Sequence, residues 1–278
     1  MSEHSSLTRT LLLSKHTLKR ARGVILATAG LLALFQTVMI AVAGSIQQSG
    51  SFEQLGALLP PFVRQLLGPT IASFLSYAGI VSVGYYHIAV MGAVIAVSIA
   101  LATVPASEIE TGFLELIMAR PLARHWFVTR AIAVLALVTV FILAAMVAAT
   151  WTALETMAPP QVTWPTPRLI VSLAANLGAL MLCWGGVAMA IGSGSRRRAV
   201  AAGSAGWLAL ATFLLDYVGR LWRPAEAVAW LSPFRYYSPL DLVMGRPLPL
   251  NNLAILAAIA VAGFGAAYFL LAKRDLQR

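Results

Sequence analysis

The chain has 278 residues, 59% of them hydrophobic and only 11% charged, with a formal net charge of +10. Soluble domains carry about 25% charged residues, so a mean hydropathy of +0.81 together with apolar runs along the whole length excludes a soluble enzyme on a single anchor. The basic residues lie between those runs, where they read as orientation signals and not as a nucleic-acid patch, so no nucleic-acid partner is expected.

The N-terminal stretch places Leu7, Leu11 and Leu18 at near-helical spacing, with Lys15, Lys19 and Arg20 on other faces. That pattern predicts a helix lying in the cytoplasmic interface. Six apolar segments follow, each long enough to span, since about 20 residues cross the hydrocarbon. They fall near Gly23–Gly44, Ser76–Thr103, Phe127–Thr152, Leu169–Gly192, Ala199–Tyr217 and Leu250–Ala272. Ala41-Val42-Ala43 has the form of a signal-peptide cleavage site. The apolar run before it is about 20 residues, longer than the roughly 7–15 of a signal core, so it reads as a true span. The expected fold is all-α, a single transmembrane domain over residues 1–278.

Loops on one side of these spans hold 14 of the Lys and Arg residues and loops on the other side hold 6. The richer side is expected to be cytoplasmic, which puts both termini there. On the outer side, Gly50–Gly68 mixes apolar and polar residues around Pro60-Pro61 and is expected to hug the interface. Gly219–Pro249 holds five prolines with Trp222, Trp230, Tyr236 and Tyr237. Its prolines forbid one regular helix, and its aromatics belong at a headgroup boundary.

Between the second and third spans, Ser107–Arg130 reads "SEIETGFLELIMARPLARHWFVTR", nearly the only charge-dense stretch of the chain. Ser107 stands three residues before Glu110, the spacing of a capping box. Glu108 and Glu110 lie at the positive end of the helix dipole, and Arg120 and Arg124 near or beyond the negative end. Pro121 stops the helix, so the predicted element is Glu108–Ala119. Ile109, Phe113, Leu116 and Ile117 gather on one face; Glu108, Thr111, Gly112, Glu115 and Ala119 gather on the opposite one. A mid-helix glycine costs roughly 1 kcal/mol relative to alanine, and a partner backbone approaching between Glu108 and Glu115 would account for it. A plain interfacial linker and a docking helix for a cytoplasmic partner both fit these residues.

The pattern acidic-x-acidic-x-Gly, Leu-Glu-Leu, Arg-Pro-Leu-x-Arg resembles the type-2 (ABC-2) permeases of ATP-binding-cassette exporters. "LSPFRYYSP" before the last span and "AKRDL" after it agree. The resemblance implies a membrane subunit of a bacterial inner-membrane exporter, whose coupling helix between spans two and three fits a cleft on a separate ATPase. It assigns Glu108, Glu110, Thr111, Gly112 and Glu115 to that helix, and Arg120, Pro121 and Arg124 to its exit turn. Thr111-Gly112 stands where relatives more often read Gly-Thr. The resemblance further implies short re-entrant outer helices between spans five and six, and a second permease copy, expected as a homodimer. ATP and Mg would belong to the partner ATPase, with no cofactor in this chain.

The residues themselves offer little catalytic chemistry. The three lysines follow Ser14, Leu18 and Ala272, so a phosphate loop ending Gly-Lys-Ser/Thr cannot form. His4, His16, His87 and His125 are too scattered for a His-Glu-x-x-His zinc site, and the single Cys183 excludes a cysteine metal site. The chain is therefore expected to be neither an ATPase nor a protease and to hold no metal. A non-transporting receptor or scaffold, and an intramembrane enzyme, are the rival classes. Few ionisable residues fall within the spans, which points to a hydrophobic or amphipathic cargo. His87, beside Tyr85 and Tyr86, is the candidate residue for a substrate path.

Overall fold

The computed structural model describes residues 3–49, 76–111 and 125–273. Every element among these is helical: α1 (Glu3–Gln48), α2 (Tyr77–Tyr86), α3 (Ile88–Ala102), α4 (Val104–Glu110), α5 (His125–Met157), α6 (Pro167–Gly194), α7 (Arg198–Gly219), α8 (Arg223–Ala229), a 3₁₀ turn (Pro233–Tyr236), α9 (Pro239–Val243) and α10 (Leu250–Lys273). Hydrocarbon offers no partner to a free amide, so a chain this apolar must close its backbone hydrogen bonds within each segment. Among the described residues, six helices are long and apolar enough to cross a membrane: Ala21–Gln48, Tyr77–Glu108, His125–Met157, Pro167–Gly194, Arg198–Gly219 and Leu250–Lys273. They coincide with the six segments expected from hydropathy, longer by between one and seven residues.

Two expectations need correction. The amphipathic N-terminal stretch is not a separate helix lying across the first span. Glu3–Gln48 is one unbroken α-helix of 46 residues, ~69 Å long at 1.5 Å per residue, more than twice the ~30 Å of hydrocarbon. Second, the second span is broken rather than continuous. His87 sits between α2 and α3 with ψ 140°, far from helical. Pro105 lies in the first turn of α4, where a residue without an N–H is tolerated. The outer loop Gly50–Gly68 lies outside the described residues.

The break at His87 interrupts the helical hydrogen-bond ladder, and two of the backbone groups it frees find other partners. The Ala89 N–H donates to His87 Nδ1 at 3.2 Å. The Tyr85 carbonyl, which Ala89 would otherwise serve, accepts from the Tyr237 hydroxyl at 3.0 Å. Burial first, then the neighbouring Tyr86, hold the Tyr237 phenol above its ordinary pKa, so it stays protonated and remains a donor.

α6 is the centre of the bundle: 67% of its apolar window is buried, against 22% each for α7 and α10. It meets α10 backbone to backbone. A Cβ on Gly186 would lie 2.5 Å from the Ala260 carbonyl oxygen, and one on Gly263 would collide with the Gly186 carbonyl carbon. Small residues that let helices approach this closely are the usual device where no hydrophobic gradient drives association. α1 packs on α2 and α5, where the buried Gln36 donates to the Val81 carbonyl at 3.1 Å. Outward faces carry Leu26, Leu34, Val140, Trp207 and Val261, all exposed, as a lipid-facing surface requires.

Contacts fix the direction of the passes. The start of α5 meets the end of α10 through Thr129 and Tyr268, whose hydroxyls lie 2.7 Å apart. The end of α1 meets the loop after α5, with a Cβ on Gly44 falling 3.5 Å from Pro159. The passes therefore alternate, and the chain enters and leaves at the same end of the bundle. The segment between α7 and α10 folds at the other end, as its prolines required. Pro224, Pro233 and Pro239 each fall in the first turn of a short helix. It also dips between the spans: Phe234 is buried against Trp184 and Phe213, and Ser232 Oγ donates to the Thr212 carbonyl at 2.8 Å.

The α6–α10 contact gives a direct prediction. Gly186→Val or Gly263→Val should lower the midpoint of thermal unfolding in detergent, by the ~1–3 kcal/mol of an overpacked core or more, because backbone cannot give way. Gly265→Val should leave it unchanged, since a Cβ there meets nothing within 4 Å. Equal midpoints for all three would contradict the packing.

Candidate functional site

The charged stretch enters the structure through α4, a seven-residue helix that follows α3 after one non-helical residue, Thr103. The Thr103 side chain turns back to donate to the Ile99 carbonyl at 2.8 Å. α4 starts at Val104, so Ser107 is interior to the helix and the expected capping box is not formed. Ser107 instead offers its carbonyl to the Thr111 N–H at 3.1 Å and to the Thr111 hydroxyl at 2.9 Å.

Released from capping their own helix, the two glutamates bind other spans. Glu108 is turned inward and buried at 8% exposure, and its partner Arg130, one turn into α5, is 3% exposed. Both carboxylate oxygens accept from Arg130 Nη2, and the guanidinium also lies 5.6 Å from the Phe127 ring centroid. Glu108 had been expected on the face opposite the apolar one, open to a partner. The correction has a plain cause: a charge inside an apolar span must find an opposite charge within the protein, and Arg130 finds Glu108. Glu110 is exposed, and its Oε2 accepts from the Arg198 N–H at 2.9 Å. Arg198 is the first residue of α7, so Glu110 caps the fifth span. An acidic group there satisfies a free amide and opposes the positive end of the α7 dipole. The Arg198 side chain completes the set by donating to the Ala100 carbonyl at 3.0 Å, in the last turn of α3.

Three spans are thus joined through one short helix. Thr111 is exposed just beyond it. Gly112, Glu115, Arg120, Pro121 and Arg124 lie outside the described residues. Sequence reasoning missed Arg130 and Arg198. The signal for Arg130 was present, as a lone cation inside the segment Phe127–Thr152. For Arg198 there was none, because it is one of three consecutive arginines and only the turn geometry distinguishes it.

His87 is exposed, capping α3 with its ring 5.1 Å from that of Phe35. It is not among the residues lining the groove that opens on the bundle surface between α3 and α7. That groove has a volume of about 310 Å³ and is walled by Ile88, Gly92, Ile95, Gly206, Leu210 and Phe213, with Phe234 at one end.

Compared with known proteins, the chain matches no family model and no curated sequence.

The buried pair predicts an ordered series of stabilities. Glu108→Ala leaves Arg130 buried and unpaired, which costs about 3–5 kcal/mol, whereas an apolar pair of similar volume is often neutral. Thermal unfolding of the purified protein should therefore show Glu108→Ala far below wild type and the double variant Glu108→Leu with Arg130→Met recovering most of the loss. A Glu108→Ala protein as stable as wild type would contradict the burial of the pair.

Proposed function

We propose that this chain is the membrane subunit of an ATP-binding-cassette exporter of the ABC-2 type, in a bacterial inner membrane. A separate ATPase, which holds the ATP and Mg, docks on the segment after α4, and a second copy of the chain completes the permease. The observation that carries this reading is the linkage at α4. A force applied to residues 112–124 reaches α5 through Glu108 and Arg130, α7 through Glu110 and the Arg198 amide, and α3 through Arg198 and Ala100. The Lys and Arg excess at the end holding α4 supports a cytoplasmic location for it, within reach of a soluble ATPase. The apolar groove between α3 and α7 supports a hydrophobic or amphipathic cargo. On this reading the dipping segment between α7 and α10 forms the outer re-entrant helices.

Gly112 tests the docking. Gly112→Leu puts a bulky side chain where the ATPase would approach, and overpacking of about 1–3 kcal/mol corresponds to roughly a 5- to 150-fold weaker complex. Glu110→Gln should be milder, because the amide oxygen still accepts from Arg198. The measurement is co-purification of the ATPase from membranes, together with ATP hydrolysis by the complex. Full recovery of both with Gly112→Leu would leave α4 and its extension as an interfacial linker, and a scaffold or receptor role in place of transport.

A further inference from the structure

The α4 end of the bundle carries cations that none of the links through α4 uses. Arg196 and Arg197 form the turn between α6 and α7, Lys273 is the last residue of α10, and all three are exposed. α6 brings them to one place. A Cβ on Gly194 would lie 3.8 Å from Leu270 Cδ1, so the turn just beyond Gly194 and the helix end just beyond Leu270 are neighbours. Neither glutamate of α4 is left to serve them: Glu108 is held by Arg130, and Glu110 by the Arg198 amide. No ion pair among the described residues includes any of the three, whereas Arg220, Arg235 and Arg246 at the other end each face a carboxylate.

The cluster leans toward hydrocarbon, not toward water. Lys273 Nζ lies 4.3 Å from the centroid of the Phe269 ring, one turn back into the sixth span, and Phe269 is itself exposed. A lysine at the end of a span ordinarily carries its ammonium outward to the headgroups; here it folds back along α10. Val200, in the first turn of α7, and Leu270 are exposed as well. The three cations therefore border an apolar, lipid-facing surface. Such a rim asks for a ligand with an anionic head and a hydrocarbon tail on one molecule, and an acidic protein surface meets only the first requirement. Guanidinium forks match phosphate oxygens in pairs, and an ammonium adds a point charge. A zwitterionic head brings its own cation to the same phosphate and gains less from three more.

We propose that the α6–α7 turn and the end of α10 form a binding site for an anionic phospholipid. Arg196, Arg197 and Lys273 hold the phosphate head, and the acyl chains lie against Val200, Phe269 and Leu270. The lipid bridges the start of α7 and the end of α10, the two spans least buried in the bundle together, and stabilises both by binding only the folded arrangement. This goes beyond the exporter reading and does not rest on it, since binding requires no ATPase and no particular orientation of the chain.

The test titrates the purified full chain in detergent with phosphatidylglycerol or with phosphatidylcholine of the same acyl chains, and counts bound lipid by native mass spectrometry. A basic residue near an anionic head strengthens binding roughly fivefold, so phosphatidylglycerol should bind at least tenfold tighter and raise the midpoint of thermal unfolding further. Arg196→Gln with Lys273→Gln should bring the two lipids within about threefold of each other. Arg168→Gln with Arg223→Gln removes two exposed cations from the other end and should leave the preference intact. Both double variants change exposed side chains only, so their midpoints in lipid-free detergent should match wild type. Equal binding of the two lipids by the wild type, or equal loss of preference in both double variants, would overturn the site. So would full competition by soluble glycerol phosphate, which would show that the acyl chains contribute nothing. A lipid preference that survives Arg196→Gln with Lys273→Gln, while co-purification of the ATPase is lost, would assign the cations to that partner instead.

Discussion

The ion pair between Glu108 and Arg130 constrains the end of the bundle on which the rest of the account depends. Both groups are nearly removed from solvent, so separating them would strand two charges in a medium that solvates neither. α4 therefore cannot shift relative to α5 without a large free-energy cost, and the two move as one. The Glu110 cap on α7 is of a different kind. It is exposed and made through one hydrogen bond, of the strength that can be broken and remade. One short helix thus carries a fixed link to the third span and a releasable link to the fifth. That combination is what a part transmitting force needs: rigid to one neighbour, switchable to another.

The two ends of the molecule contrast. At the α4 end the charges are paired across spans: Glu108 with α5, Glu110 with α7, Arg198 with α3. At the other end the pairs are local, Asp216 with Arg220 and Asp241 with Arg246, each within five residues. Local pairs hold no two spans together. What joins the spans there is packing, with Phe234 between Trp184 and Phe213, and uncharged hydrogen bonds, among them Tyr85 with the Thr150 hydroxyl and Tyr237 on the freed carbonyl of Tyr85. Between the ends, the Gly186–Gly263 contact pins α6 to α10 and leaves α7 with few buried residues. The groove opens along α7 for that reason.

The spans were legible because hydropathy is a property of the chain in one dimension, and six apolar runs leave little choice. So was the interruption of Gly219–Pro249, whose prolines forbid one regular helix. What failed were inferences that needed a partner in space. Ser107 and Glu110 have the spacing of a capping box, but the helix had already begun at Val104, and a better donor for Glu110 waited on α7. The turn at His87 has neither proline nor glycine at the break. An imidazole on the Ala89 N–H and a distant phenol on the Tyr85 carbonyl hold it, and Tyr237 is 150 residues further on. Glu108 was assigned to an open face by helical geometry alone, when the lone Arg130 in an apolar segment was the sign that it would be drawn inward.

Everything proposed for α4 requires that its end of the bundle face the cytoplasm. Single cysteines at the exposed positions Arg196 and Glu226, in a Cys183→Ser background, measure this directly with a membrane-impermeant thiol reagent. Ser232 would not serve, since it is buried against Thr212. In intact cells the Glu226 site should label and the Arg196 site should stay unlabelled until the membrane is permeabilised. Labelling of Arg196 in intact cells, with Glu226 protected, would turn the molecule over, put α4 beyond the reach of any ATPase and contradict the account.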